Sequence, residues 1–260
     1  MTMNTFRTSD GTNLAFEYAG GGEPTVVFIH GAYLSLSEWQ PQRAALGGLP
    51  SLFVDLRGHG RSDRGGYPYS VATFGDDLLQ LFDHLNLNSV VLCGHSLGGM
   101  VAQQLALYAP ERVAKLVLAD TSYGVRSTWH EALLTDLTLP MFNLVPIAWQ
   151  AQLFASQIGK HSADAKRYVR AEISRHKRDP KNYREVWNAV AQFNGHDALG
   201  QIRCPTLVMV GALNKQTHAQ ARTMKERIAQ CELVSTEKAG HMLNWDNAPQ
   251  FNRVLLEFLA

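Results

Sequence analysis

Short apolar runs recur along the chain and alternate with segments of helical periodicity. The apolar runs predict strands at 4–9, 12–19, 25–30, 51–56, 89–94, 115–120, 206–211 and 232–237. The first two flank Asp10-Gly11, a dipeptide typical of a hairpin turn. The later ones are continuously apolar, as expected of strands covered on both faces by helices. Apolar residues at three- and four-residue spacing predict helices at 70–85, 97–109, 217–229 and 248–259.

This alternation predicts an α/β protein with an eight-stranded, mostly parallel sheet flanked by helices. Residues 121–200 interrupt the alternation of strands and helices, since they contain three helix-breaking prolines and no strand-like run. We expect them to form a helical cap inserted after the sixth strand. The remaining segments, 1–120 and 201–260, then form the core, and the cap covers the carboxyl ends of the strands, where open parallel sheets bind their ligands.

Composition narrows the possible partners. The 260 residues carry a formal net charge of +1, which gives no electrostatic reason to expect nucleic acid or an anionic membrane. Three cysteines without CxxC spacing and a polar start without signal-peptide character predict a cytoplasmic protein. The most apolar long window, 137–155, contains two prolines and is interpreted as a buried or cavity-lining segment, not a membrane span. A monomer and a homodimer are equally compatible with the sequence.

One serine lies between two glycines where the fifth strand meets the next helix. Gly94-His95-Ser96-Leu97-Gly98 fits G-x-S-x-G, a sharp turn that strains the serine backbone and exposes its hydroxyl. The turn also directs the Leu97 N–H and the start of the helix toward the site, where negative charge is favoured. The alternative is a glycine-rich turn with a bystander serine. The strand before it and the helix after it favour a nucleophile.

Here the chain resembles the α/β-hydrolase family, in particular its cap-bearing branch of esterases, lactonases and carbon–carbon hydrolases. The resemblance covers nearly the whole chain. It is carried by FIHG (28–31), DLRGHGRSD (55–63), GHSLGG (94–99), IRCPTLVMVG (202–211) and AGHMLNWDNAP (239–249). These motifs imply the α/β-hydrolase sheet and a serine nucleophile, but they say little about the substrate.

The resemblance also implies roles for several residues. His241, in the loop after the last strand, matches the family's general base, and Ala32 matches the second donor of the oxyanion hole beside Leu97. His95 lies inside the turn and should point away from Ser96, in a structural role. His30 and His59 are expected to pack or to stabilise loops. No pair of histidines has HExxH spacing, and no cofactor or metal is implied.

The acid of the triad departs from the family's pattern. The family usually places an aspartate just after the seventh strand, where this chain has Asn214. Asp120, at the end of the sixth strand, can replace it as in some relatives, although it can also simply cap the next segment. Asp246 follows His241 closely but is expected to cap the last helix. We favour Asp120 over an acid-deficient arrangement in which Asn214 alone orients His241.

Aromatic residues of the cap provide candidate substrate contacts. Tyr33, Phe142 and Trp149 are predicted to line a pocket over Ser96; Trp129, Phe154 and Trp187 are further candidates, and all those in the cap can equally form its own core. The predicted activity is hydrolysis of a small, largely apolar ester or lactone. Two kinds of alternative use the same scaffold. One is a different reaction at the same site, either carbon–carbon bond hydrolysis or cofactor-independent dioxygenation. The other is a non-enzymatic receptor for a small ligand.

Overall fold

The sheet organises the molecule. In a computed structural model, which describes residues 2–125, 133, 136–137, 141, 144–176 and 179–260, eight strands form one sheet in the order β1-β2-β4-β3-β5-β6-β7-β8. The strands are β1 Met3–Arg7, β2 Asn13–Ala19, β3 Thr25–Ile29, β4 Ser51–Val54, β5 Val90–His95, β6 Val113–Ala119, β7 Thr206–Gly211 and β8 Cys231–Thr236. The β1–β2 and β2–β4 pairs are antiparallel, and the other five pairs are parallel.

Helices cover both faces of this sheet. The described helices are α1 Gln40–Arg43, α2 Val71–His84, α3 Leu97–Tyr108, α4 Ile147–Ile158, α5 Ala163–Arg175, α6 Pro180–Gln192, α7 His218–Arg227, α8 Leu243–Asp246 and α9 Ala248–Leu259. Their starts follow local chemistry. Ser70 and Ser162 accept hydrogen bonds from the N–H groups of the first turns of α2 and α5. Asp179 does the same for α6, which has proline at its first position.

Two apolar clusters lie on opposite faces of the sheet. One includes Phe74, Leu105 and Val186, and the other includes Trp39 and Phe251. Strands β3 to β7 are therefore covered on both sides, which explains why apolar residues occupy most positions on both faces of these strands.

The helical insertion follows β6, as the interrupted pattern predicted. Helices α4, α5 and α6 lie between β6 and β7, and their buried apolar residues belong to the same cluster as those of α2 and α3. A bridge between Gly124 and Asn194, together with the Gly195 N–H donating to Tyr123 O at 2.7 Å, joins the two ends of the insertion. The predicted fold class, including the helical insert after the sixth strand, is confirmed.

Candidate active site

Ser96 occupies a strained turn between β5 and α3. Its φ and ψ are 51° and −117°, a conformation that non-glycine residues rarely adopt. The two flanking glycines permit this close packing. A Cβ on Gly94 would lie 2.2 Å from Gly98 O, and one on Gly98 would lie 2.1 Å from Ile29 O. The predicted turn is therefore present, and side chains at either glycine are sterically excluded.

Two backbone N–H groups lie near this serine. A Cβ added to Gly31 would be 3.4 Å from the Cβ of Ser96, so the loop after β3 packs directly against the turn. Ala32 follows in that loop and lines the same cavity as Ser96. Within the described part of the chain, the N–H groups of Ala32 and Leu97 have no hydrogen-bond acceptor. These are the two donors expected from the sequence to hold an oxyanion.

Asp120, Asn214 and His241 come together although they are far apart in sequence. Asp120 Oδ2 lies 3.9 Å from His241 Nδ1, within ion-pair range but beyond a hydrogen bond. Asn214 Nδ2 donates to Asp120 Oδ1 at 3.0 Å and lies 3.4 Å from His241 Nδ1. The Thr217 hydroxyl also donates to Asp120 Oδ1, and the Gly211 N–H donates to Oδ2 at 3.4 Å. Asp120 and Asn214, the two candidates for the third residue of the triad, thus lie in one hydrogen-bonded cluster beside His241.

Burial determines how these groups titrate. Burial raises the pKa of Asp120 to about 6, although the Thr217 hydroxyl and the neighbouring His95 oppose this shift. Burial, followed by the positive charge of His95, lowers the pKa of His241 to about 3. His241 is therefore neutral near pH 7, the state in which an imidazole can accept a proton.

A buried ion pair beneath the turn was not predicted. Glu38 and His95 are both almost fully buried, and Glu38 Oε1 lies 2.5 Å from His95 Nδ1. The other carboxylate oxygen accepts from the Gly31 N–H at 2.8 Å, and His95 Nε2 lies 2.9 Å from His241 O. Burial alone would lower the pKa of His95, but the Glu38 carboxylate raises it above its ordinary value. The pair links the loop preceding Ala32 to the loop that carries His241.

Nothing in the sequence around Glu38 identifies this role. It precedes Trp39 in a short 3₁₀ turn that has no recognised motif, and its partner is 57 positions away. His95, for which the sequence predicted a structural role, is buried in this ion pair and also borders the cavity that contains Ser96.

His30, His59 and Asp246 form local hydrogen bonds. His30 Nε2 accepts from the Leu56 N–H at 3.1 Å, and its Nδ1 lies 2.8 Å from Gly31 O. His59 Nδ1 lies 2.9 Å from the carbonyl oxygen of a neighbouring loop residue, so both imidazoles stabilise loops. Asp246 does not cap the last helix. It accepts from the Gly240 N–H at 2.9 Å, next to His241, and Asn247 caps α9 instead.

A cavity of about 550 Å³ opens over the serine. Its lining includes Ser96, His241 and Asp120 together with Tyr33, Leu34, Met100, Phe154, Ile158, Ile173, Trp187, Val190 and Asn214. Helices α4, α5 and α6 therefore contribute apolar side chains to the wall opposite the strand ends.

The aromatic residues predicted to line the pocket differ in their positions. Tyr33 lines the cavity, with its ring stacked on Tyr183 at a centroid distance of 4.1 Å. The placement of Trp149 in the pocket is wrong: it is 74% exposed and lies on the outer face of α4, because the helix turns Phe154 inward instead. Phe142 and Trp129 lie outside the described residues.

A family model described as the alpha/beta hydrolase fold matches residues 24–248. The chain belongs to the α/β-hydrolase family. It is 28% identical to 3-oxoadipate enol-lactonase 2 of Acinetobacter baylyi over 94% of this chain and 92% of that protein. It is 32% identical to a putative carbamate hydrolase RutD of Variovorax paradoxus over 95% and 96% of the two chains.

A solved structure of a hydrolase is also similar to this chain. The crystal structure of a hydrolase from Pseudomonas aeruginosa PA01 has a TM-score of 0.88 and 29% identity, covering 99% of this chain and 98% of that one. These relatives identify the protein as a hydrolase on the α/β-hydrolase scaffold. Among its described residues, no helix combines the length and apolar character needed to span a bilayer. No group of three or more His, Cys, Asp or Glu side chains in those residues is arranged to hold a metal ion.

Proposed function

We propose that this α/β-hydrolase is a serine esterase or lactonase that acts through an acyl-enzyme on a small, largely apolar substrate. The observation that carries the proposal is the strained Ser96 turn opening into a cavity that also contains His241. A serine hydroxyl becomes a useful nucleophile only when a base takes its proton. A neutral imidazole in the same cavity can supply that base.

In the proposed reaction, Ser96 Oγ attacks the carbonyl carbon while His241 takes the hydroxyl proton. The negative charge that develops on the carbonyl oxygen is held by the N–H groups of Ala32 and Leu97. Collapse of the tetrahedral intermediate expels the alcohol, which receives the proton from His241. Water then attacks the acyl-enzyme while His241 takes one of its protons, and collapse of the second tetrahedral intermediate releases the acid as His241 returns the proton to Ser96 Oγ.

Asp120 is proposed as the acid of the triad. Its carboxylate lies 3.9 Å from His241 Nδ1 and carries the negative charge that stabilises imidazolium. Asn214 is neutral and donates to that carboxylate, so we assign it to holding Asp120 in place. The insertion, residues 121–200, is proposed as a cap that sets substrate size through Phe154 and Trp187.

Ser96→Ala tests the covalent mechanism. The substitution removes only the hydroxyl, so folding should be unchanged while turnover of a short-chain 4-nitrophenyl ester falls by about 10⁴-fold or more. A fluorophosphonate should label the wild type with one equivalent per chain and should not label the variant. Peptide mass spectrometry should locate the label at Ser96. Labelling at another residue, or wild-type turnover by the variant, would refute the proposal. Oxygen consumption with a heteroaromatic substrate and no labelling would indicate the dioxygenase alternative.

A further inference from the structure

Two lysines line the cavity that opens over Ser96. Lys160 lies between α4 and α5 in the insertion, and Lys215 follows Asn214 in the loop after β7. Both residues are exposed, which places them at the open end of the cavity. Within the described ranges, neither lysine has a hydrogen-bond or ion-pair partner. Cations from two separate elements therefore border the entrance.

Among the described residues that line the cavity, no exposed acidic side chain neutralises these two lysines. In the described lining, Asp120 is the one carboxylate, and it is 1% exposed. Its Oδ1 already accepts from Asn214 and Thr217, and its Oδ2 accepts from the Gly211 N–H. Because the whole chain carries a net charge of only +1, the positive mouth is a local feature and not part of a generally basic surface. Such a local concentration of one charge sign attracts ligands of the opposite sign.

The interior of the cavity has the opposite character. Met100, Ile173, Trp187 and Val190 contribute apolar surface there. A charged group of a substrate would lose its hydration against these side chains without gaining a partner. The polar lining residues Thr121, Ser122, Gln157 and Gln220 are uncharged, so the lysines at the mouth accommodate an anionic group best.

We infer that the substrate carries a carboxylate remote from the scissile ester or lactone bond, and that Lys160 and Lys215 bind this carboxylate. This inference rests on the proposed function and specifies its substrate class. An apolar segment of the substrate fills the interior and places the reacting carbonyl at Ser96. Lysine suits this role because its ammonium group is a mobile point charge that accepts carboxylates in many orientations.

The experiment compares substrates that differ only in charge. The 4-nitrophenyl monoester of pimelic acid is paired with its terminal carboxamide, which has the same shape but no charge. In a second pair the carboxylate or carboxamide ends the alcohol part of a butyrate ester, so that either side of the scissile bond is probed. The wild type should have a kcat/KM about 5- to 30-fold higher for the anionic member of at least one pair, falling at 0.5 M salt.

Variants then identify the groups responsible. In the double variant Lys160→Gln/Lys215→Gln, the anionic-to-neutral ratio of kcat/KM should fall to about 1, and Lys→Arg at both positions should retain most of the preference. Lys166→Gln is the matched control, because Lys166 is exposed on α5 and does not line the cavity. Its ratio should equal that of the wild type.

The outcomes separate this inference from the proposed function. Hydrolysis of the neutral substrates without any preference for the anionic ones overturns the inference and leaves the esterase intact. A preference that persists in the double variant overturns the assignment to these lysines. Failure of the wild type to hydrolyse any of the four esters overturns both.

Discussion

Replacing Asp120 by asparagine tests which residue completes the triad. The Asp120 Oδ2–His241 Nδ1 distance is 3.9 Å. With an effective dielectric constant of about 20, two unit charges at that separation attract by about 4 kcal/mol. This attraction exists only once His241 has taken the serine proton, so it acts on the transition state. Asp120→Asn should therefore lower kcat by about 10³-fold.

Asn214→Ala should have a much smaller effect. The amide contributes one hydrogen bond to the Asp120 carboxylate at 3.0 Å and no charge. Loss of a bond of this kind costs about 1 to 2 kcal/mol, which corresponds to a decrease in kcat of about 5- to 30-fold. Asn214→Asp should change kcat little, because a carboxylate is already present beside His241.

The assay is kcat/KM for one short-chain 4-nitrophenyl ester, measured for all three variants between pH 5 and 9. Asp197→Asn is the matched control, since Asp197 is 95% exposed and lies away from the cavity. Thermal unfolding of each variant checks that the buried site remains folded. Because burial raises the pKa of Asp120 to about 6, wild-type activity should fall as the pH drops through 6, and Asp120→Asn should lack that step.

A mild effect of Asp120→Asn, together with a large loss in Asn214→Ala and a gain in Asn214→Asp, would contradict the assignment of Asp120 as the acid. That pattern would assign the orientation of His241 to the amide and would leave Asp120 as a structural carboxylate.

Three further perturbations test other parts of the site. Glu38→Gln removes the charge that pairs with His95, so kcat should fall by about 10- to 100-fold with little change in KM, and an unchanged kcat would restrict the pair to a structural role. Trp187→Ala should shift the chain-length profile of 4-nitrophenyl esters toward longer acyl groups, whereas Trp149→Ala, at a 74% exposed position, should leave the profile unchanged. Burial lowers the pKa of His176 to about 4, so the unfolded chain binds a proton first and the free energy of unfolding should decrease as the pH falls from 6.5 to 4. Urea titrations at pH 7 and pH 4.5 measure this decrease in the free energy of unfolding. The decrease should be about 2 to 3 kcal/mol smaller in His176→Gln than in the wild type.

Features that depend on neighbours along the chain were predictable from the amino-acid sequence. Continuous apolar runs located the strands, because a strand covered on both faces has no solvent side. The turn around Ser96 was equally visible, since two glycines flank the serine and their missing side chains prevent contacts of 2.2 and 2.1 Å with backbone oxygens. The insertion after the sixth strand followed from the loss of the strand–helix alternation.

Contacts between side chains that are distant in the sequence depend on the three-dimensional packing of the elements. The contact of Asp120 with both Asn214 and His241 depends on β6 lying beside β7 in the sheet, an arrangement that the sequence suggested but did not fix. The Glu38–His95 pair has no local signature, because burial of a carboxylate depends on a partner supplied by another loop. In the same way, Trp149 faces solvent although its residue type favours burial, since the rotation of a helix about its axis is set by what it packs against.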